Sequence, residues 1–234
     1  MEKRGSQKEK DKLHNGGEFI KFLSELNRKS GNVAGGKGAN LAEIYNLKLP
    51  VPPAFVITAQ AYQYFIEETG IKEKIQEIIS KIDTDDTASL ENYAEKIREI
   101  IIETEMPEDL AEAILEAYDD LSYNRGMEQA QGDALSILKN ASEPIFVAVR
   151  SSATTEDLAE ASFAGQQESF LNIKGKTALL EAVKKCFASL FTSRAVYYRE
   201  KKGFGQDLVY IAVIVQKMLN SDKSGVMFTK NPVG

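Results

Sequence analysis

The spacing of apolar residues changes at Pro144, and this change constrains the fold more than any other feature of the sequence. Before Pro144, apolar residues recur every three or four positions over long segments, which is the spacing of amphipathic helices. After it, short continuous apolar runs dominate, which is typical of buried strands. The sequence therefore predicts an α+β fold with a helical first half and a strand-rich second half.

The first half is predicted to be mostly helical. A short buried strand is expected at 54–58, after an extended, proline-rich segment at 49–53, and Thr58 should cap the helix that follows it. Gly70 should end that helix. The predicted helices cover residues 19–26, 38–47, 59–70, 71–82 and 88–103, and a last one that Pro107 opens and that reaches Leu121.

The second half is predicted to contain four strands and one long helix. The run PIFVAVR predicts a buried strand that ends at Arg150, and ESFLNI predicts a second strand after a polar loop. A long central strand is expected at 207–219 and another at 225–232. The single helix is expected at 176–202. We divide the chain into a polar, flexible leader (1–16), a mostly helical subdomain (17–141) and a strand-rich subdomain (142–234).

Composition excludes several classes of function. A net charge of -6 argues against a nucleic-acid-binding protein, which would need a basic face. The single cysteine, Cys186, forbids an intrachain disulfide, fits a reducing compartment and should be a core residue. The only histidine, His14, excludes metal sites built from His and Cys. No apolar run approaches the length of a membrane span, so we expect a soluble, cytoplasmic protein without a membrane partner.

The glycine-rich segment GNVAGGKG presents Lys37 at the start of a predicted helix. Gly31, Gly36 and Lys37 match the pattern G-x-x-x-x-G-K, but Gly38 replaces the Ser or Thr that would hold magnesium. The preceding segment is also not a buried strand, so this is not a Walker motif. A lysine at a helix N-terminus is suited to an anion, and the plain alternative is a turn with a helix start.

Arg150 is the second candidate anion-binding residue. It follows a buried strand and precedes Ser151, Ser152, Thr154 and Thr155, so many phosphate donors are expected at one sheet edge. The small turn Ser162, Phe163, Ala164, Gly165 could lay backbone N–H groups over phosphates. The alternative is a strand-ending arginine that forms an ion pair with Glu156 or Asp157.

The segment Gln216, Lys217, Met218 closes the longest predicted strand. It could offer backbone hydrogen bonds and a methionine surface to an adenine ring. The alternative is an ordinary strand edge.

Six blocks follow one another along the chain: GGKGANLAEI, VPPAFVIT, FVAVRSSATTEDLAEASFAGQQESFLNI, FASLFTSRAVYYR, VQKM and SGVMFTKNP. These blocks, in this order, resemble the nucleotide-binding domain of phosphoenolpyruvate synthases and, more distantly, of pyruvate phosphate dikinases and rifampicin phosphotransferase. The resemblance covers residues 19–234.

This resemblance implies ATP as the ligand, with Mg²⁺. It implies that Lys37 and Arg150 hold the phosphates, that the loop 162–165 closes over them, and that Gln216, Lys217 and Met218 contact adenine. Arg194 lies in a matching block and is expected to have a structural role. Ala34, Ala42 and Ala54 stand where the family usually has Val, Gly and Gly, and should alter packing only.

The resemblance also implies that parts of the full enzyme are absent. The family's ATP-grasp fold needs a later lobe with the acidic magnesium ligands. The full enzyme also needs a separate domain with a phosphoryl-carrying histidine and a barrel that binds pyruvate. We therefore expect the N-terminal, ATP-binding region of a synthase that converts ATP, pyruvate and water to phosphoenolpyruvate, AMP and phosphate.

Alone, this region should be inactive, with no catalytic residue or metal ligand of its own, and its partners would be the remaining domains in cis or in trans. Two alternatives stay open: a self-standing nucleotide-binding or regulatory protein, and a phosphotransferase with another acceptor.

Overall fold

The computed structural model describes residues 18–123, 144–154, 168–203 and 209–227. Within these ranges the strands are β1 (Ile20–Phe22), β2 (Ala54–Ile57), β3 (Phe146–Ala153), β4 (Ser169–Lys174) and β5 (Ile211–Lys217). The helices are α1 (Gly31–Asn46), α2 (Ala59–Glu68), α3 (Lys72–Ile79), α4 (Thr87–Glu103), α5 (Glu108–Tyr123), α6 (Lys176–Ala188) and α7 (Ser193–Lys201). Short 3-10 turns lie at Leu23–Glu25 and Ser189–Phe191.

The five strands form one antiparallel sheet in the order β1-β2-β5-β3-β4. The predicted α+β class is confirmed. Strand β5 lies between β2 and β3, so its predicted central position is also correct. The sheet joins strands from both halves of the chain. The predicted boundary at 141 lies outside the described residues, and the division into subdomains stays a prediction.

The two faces of the sheet are covered differently. On one face, Val213 and Val215 belong to a large core with α2, α4, α5 and α6. On the other face, Ala212 and Ile214 lie in a small core with α1. Because side chains alternate along a strand, β2 and β5 contribute to both cores. Ala34, Ala42 and Ala54 all lie in the small core, consistent with the packing role expected of them.

Residues 19–26 were expected to form a helix, and this prediction is wrong. Ile20, Lys21 and Phe22 pair with Ile57, Val56 and Phe55, and a single 3-10 turn follows. The helix-like spacing of Phe19, Phe22 and Leu23 is real, but pairing with β2 satisfies the backbone and still buries Phe19 and Leu23.

The predicted single helix at 176–202 is broken at Thr192. The extended backbone of Thr192 separates α7 from the 3-10 turn after α6, and its Oγ1 accepts a hydrogen bond from the Ala195 N–H. Thr192 therefore starts a new helix as its N-cap.

The strand ends also differ from the predictions. Strand β3 continues to Ala153 instead of ending at Arg150, because residues 151–153 pair with Val213, Ala212 and Ile211. Strand β5 ends at Lys217, two residues earlier than expected. Residues 225–227, predicted to begin another strand, are irregular, and Val226 and Met227 are exposed.

Thr58 caps α2 as predicted, and it also ties this helix to the start of the described chain. Its Oγ1 accepts a hydrogen bond from the Ala61 N–H at 3.1 Å and donates one to the Glu18 carbonyl at 2.7 Å. The residue is fully buried. One buried side chain therefore satisfies two backbone groups.

Thr58→Ala should lower the free energy of unfolding by about 2 kcal/mol, because it removes a cap and a second hydrogen bond made by a hydroxyl of a buried residue. Urea denaturation followed by circular dichroism would measure the loss. The matched control is Asp86→Ala, which removes a single, exposed cap bond to the Ala88 N–H. The control should cost less, about 1 kcal/mol, and an equal cost for both variants would contradict the role of burial.

Candidate functional site

Helix α1 is kinked at Gly35, and this kink positions Lys37. Gly35 has φ 65° and ψ 173°, a conformation that only glycine adopts readily. A second helical segment starts immediately after it, so Lys37 lies in that segment's first turn. The predicted helix start near Lys37 is therefore present, although helical residues also precede the kink from Gly31 onward.

The kink lies directly against strand β3. A Cβ atom at Gly35 would stand 2.3 Å from both the carbonyl oxygen and the Oγ of Ser152. The Gly38 N–H donates a hydrogen bond to Ser152 Oγ at 3.1 Å. The Lys37 ammonium donates one to the Ser151 carbonyl at 3.2 Å. Lys37 is thus held against the backbone of the residue that follows Arg150.

Arg150 and Gln216 share the sheet face that α1 covers. Arg150 pairs with Ile214, and Gln216 pairs with Ala148, so the two residues are diagonal neighbours on adjacent strands. Such neighbours have Cβ atoms roughly 7 Å apart or less, within reach of long side chains. Both residues are half-buried. The structure therefore brings together Lys37, Arg150 and Gln216, three residues that the sequence singled out separately.

The remaining residues of the Gln216–Met218 segment are placed differently. Lys217 pairs with Val147, so it alternates to the opposite face from Gln216. The Lys217 N–H donates to the Pro53 carbonyl at 3.0 Å, and the Met218 N–H donates to the Phe146 carbonyl at 2.9 Å. These two amides are bound within the protein, and Lys217 faces away from Arg150.

The sequence suggested that the serines after Arg150 are phosphate donors at a sheet edge, but the structure places them inside the sheet. Ser151 and Ser152 are buried within β3. Ser151 Oγ donates to the Glu168 carbonyl at 3.0 Å, and Thr154 Oγ1 donates to the Tyr210 carbonyl at 3.1 Å. The prediction is wrong for these residues because β3 is longer than expected. The loop 162–165, Thr155, Glu156 and Asp157 lie outside the described residues.

Sequence reasoning missed a buried arginine. Arg199, on α7, is 1% exposed, and its Nη1 donates to the Leu190 carbonyl at 2.7 Å. Burial lowers the pKa of Arg199 to about 10. Its position four residues after Ala195 places it on the buried side of α7, which is the only signal for it in the sequence. Arg194, which was expected to be structural, is exposed instead.

One further prediction concerns the single cysteine, Cys186. Cys186 is fully buried, and desolvation raises the pKa of its thiol, which confirms the expected core role. Within the described ranges, no group of three or more His, Cys, Asp or Glu residues could hold a metal ion. The helices of the same ranges are all too short or too polar to cross a bilayer.

The pyruvate phosphate dikinase AMP/ATP-binding domain family matches residues 31–234, and the chain belongs to this family. The resemblance drawn from the sequence motifs is thereby confirmed. The described residues of this domain include the kinked helix α1, which carries Lys37, and the sheet that carries Arg150.

Several relatives of this chain are named phosphoenolpyruvate synthases. The chain is 53% identical to a probable phosphoenolpyruvate synthase of Methanocaldococcus jannaschii, over 92% of the chain and 17% of that protein. It is 44% identical to a probable phosphoenolpyruvate synthase of Methanothermobacter thermautotrophicus, over 92% of the chain and 29% of that protein. It is 42% identical to the phosphoenolpyruvate synthase of Pyrococcus furiosus, over 92% of the chain and 28% of that protein. The chain thus spans less than a third of the length of these relatives.

Gly35→Ala should destabilise the protein more than an alanine at another positive-φ glycine. The added Cβ would overlap the Ser152 backbone, and the backbone of β3 has no room to move within the sheet. The matched control is Gly70→Ala, where φ is 66° and no heavy atom lies within 4 Å of the added Cβ. The control should cost about 1–2 kcal/mol for the left-handed backbone alone.

Urea denaturation of both variants would measure the difference. An equal loss at Gly35 and Gly70 would contradict the close approach of α1 to β3.

Proposed function

We propose that the sheet face shared by Lys37, Arg150 and Gln216 is the ATP site of this domain. The single observation that supports it most is the bond from Lys37 to the Ser151 carbonyl, which sets an ammonium beside the guanidinium-bearing residue 150. Two cations on one half-buried surface favour a polyanion, and hydrogen bonds from charged donors are about twice as strong as neutral ones. Lys37 and Arg150 would hold phosphates.

Gln216 would contact the adenine ring. Its side chain is half-buried, and its Nε2 donates to the Pro52 carbonyl at a long 3.4 Å. A base could replace this weak bond with a better one. Lys217 and Met218 are also proposed to contact adenine. They would do so through groups other than their backbone N–H, since both N–H groups already donate hydrogen bonds within the protein. The loop Ser162, Phe163, Ala164, Gly165 is proposed to close over the phosphates.

The magnesium ion that accompanies ATP does not fit the described part of this face. Mg²⁺ prefers carboxylate and water oxygens in an octahedral arrangement, whereas Lys37 and Arg150 are cations. We therefore place no magnesium ligand there. Its carboxylates would come from other parts of a full-length protein.

The full-length protein is proposed to be a phosphoenolpyruvate synthase that converts ATP, pyruvate and water to phosphoenolpyruvate, AMP and phosphate. The names of the relatives support this activity. The present domain would supply the ATP site, and its partners would be the remaining domains of the synthase. A cytoplasmic location is proposed, since ATP and pyruvate are both cytoplasmic metabolites.

Lys37→Met and Arg150→Ala should each weaken ATP binding about tenfold, because each removes a charge-assisted contact worth roughly 1.5 kcal/mol or more. Adenosine binding should be unchanged in both variants, since adenosine lacks phosphates. Isothermal titration calorimetry with both ligands would measure the affinities. The matched control is Arg194→Ala, which removes the same charge from an exposed position on α7.

Gln216→Ala separates the two ends of the site. It should weaken ATP and adenosine by the same factor, because both ligands carry the base. If Lys37→Met and Arg150→Ala bound ATP as tightly as the unaltered protein while keeping its fold, the proposed site would be wrong.

ATP affinity should also fall as salt rises from about 0.05 M to about 0.5 M, because half-exposed cations are screened by added ions. Adenosine affinity should stay constant over the same range. Titrations in sodium chloride at constant pH would test this. A loss of affinity that is equal for both ligands would indicate general destabilisation rather than screening of phosphate contacts.

A further inference from the structure

Ser152 is a polar residue in an otherwise apolar position. It is fully buried in β3, between Ser151 and Ala153, on the face where Ala212 and Ile214 form the small core. A buried hydroxyl is costly unless it is hydrogen-bonded. The Oγ of Ser152 accepts the hydrogen bond from the Gly38 N–H.

The Gly38 amide needs an acceptor from outside its own helix. The first N–H groups of a helix have no intrahelical partner, and the segment after the kink begins at Gly36. An N-cap Ser or Thr would ordinarily accept from the third residue of such a segment. The residue at the cap position here is Gly35, which has no side chain, and a side chain there would overlap Ser152.

Ser152 thus replaces the missing cap from 114 residues away. Its hydroxyl occupies the position in which a local serine would present its own oxygen. The contact also explains why the cap residue is glycine, since only glycine both adopts the φ and ψ of the kink and leaves space for the serine.

The capped turn carries Lys37 between two glycines, Gly36 and Gly38. Glycine-flanked backbone loses much conformational entropy on ordering, so an uncapped turn would fray readily. The hydrogen bond from the Gly38 N–H to Ser152 Oγ fixes this turn. From the same turn, the Lys37 side chain reaches the carbonyl of Ser151, the residue after Arg150.

We propose that Ser152 is a positioning residue for nucleotide binding: it caps the second segment of α1 and so holds Lys37 on the face of Arg150. This inference rests on the proposed function of Lys37. Ser152 itself is buried and would not touch ATP.

Ser152→Ala should weaken ATP binding about three- to tenfold, the factor that corresponds to a lost helix cap. A double variant with Lys37→Met shows whether Ser152→Ala lowers ATP affinity by misplacing Lys37 or by destabilising the protein in general. Lys37→Met should cost less in the Ser152→Ala background than in the unaltered protein, because the lysine is already misplaced. Gln216→Ala should cost the same in both backgrounds. Calorimetric titration with ATP, well below the unfolding temperature, would measure all of these variants.

The matched control is Ser189→Ala. It removes another buried hydroxyl, which donates to the Cys186 carbonyl at the end of α6 and takes no part in the candidate site. ATP affinity should stay within twofold of the unaltered protein. Amide hydrogen exchange at Gly38, followed by NMR, should be faster in Ser152→Ala and unchanged in Ser189→Ala.

The outcomes separate this inference from the proposed function. Unaltered ATP affinity in Ser152→Ala, with weak binding by Lys37→Met, would overturn the positioning role alone. Unaltered affinity in Lys37→Met would overturn the phosphate role of Lys37 and the positioning role with it. Should Ser152→Ala fail to fold, Ser152→Cys keeps the shape with a weak sulfur acceptor, and full affinity in that variant would overturn the inference.

Discussion

The close approach of Gly35 to Ser152 is the contact on which the candidate site depends. It brings a helix backbone against a strand backbone with no side chain between them, and only glycine permits the separation. Small residues on the same face, such as Ala34 and Ala212, allow α1 to lie close along the sheet. Lys37, which is distant from Arg150 in sequence, is thereby fixed to the backbone beside it.

The two faces of the sheet differ in the size of the side chains that cover them. The face toward α2, α4 and α6 buries large side chains such as Phe65, Ile97 and Phe187, which contribute most of the apolar area removed from water. The face toward α1 is built from small residues and remains half-open at Arg150 and Gln216. A ligand can therefore contact the second face without disturbing the larger core.

Local patterns predicted the structure where local interactions decide it. Helices α2, α4 and α5 follow from their apolar spacing, and Thr58 from its cap position. Pairing between distant strands is not visible in such patterns, so Ile20–Phe22 was taken for helix and β3 was expected to end at Arg150. Lys37, Arg150 and Gln216, the three residues of the proposed site, were singled out by their chemistry and by the blocks that resemble the family. Ser152 was taken for a phosphate donor, because nothing local shows that it caps a helix 114 residues away.

Arg199 and Arg150 differ in how deeply they are buried, and this difference suits them to different roles. Arg199 is already desolvated within the protein, and burial lowers its pKa. Its guanidinium donates a hydrogen bond to the Leu190 carbonyl and lies 5.7 Å from the centre of the Phe191 ring. Arg150 is only half-buried, on the face where Lys37 donates a hydrogen bond to the Ser151 carbonyl. A cation in that setting can exchange water for a phosphate oxygen at little further desolvation cost. The same residue type therefore stabilises one helix and is suited to bind a ligand on the sheet.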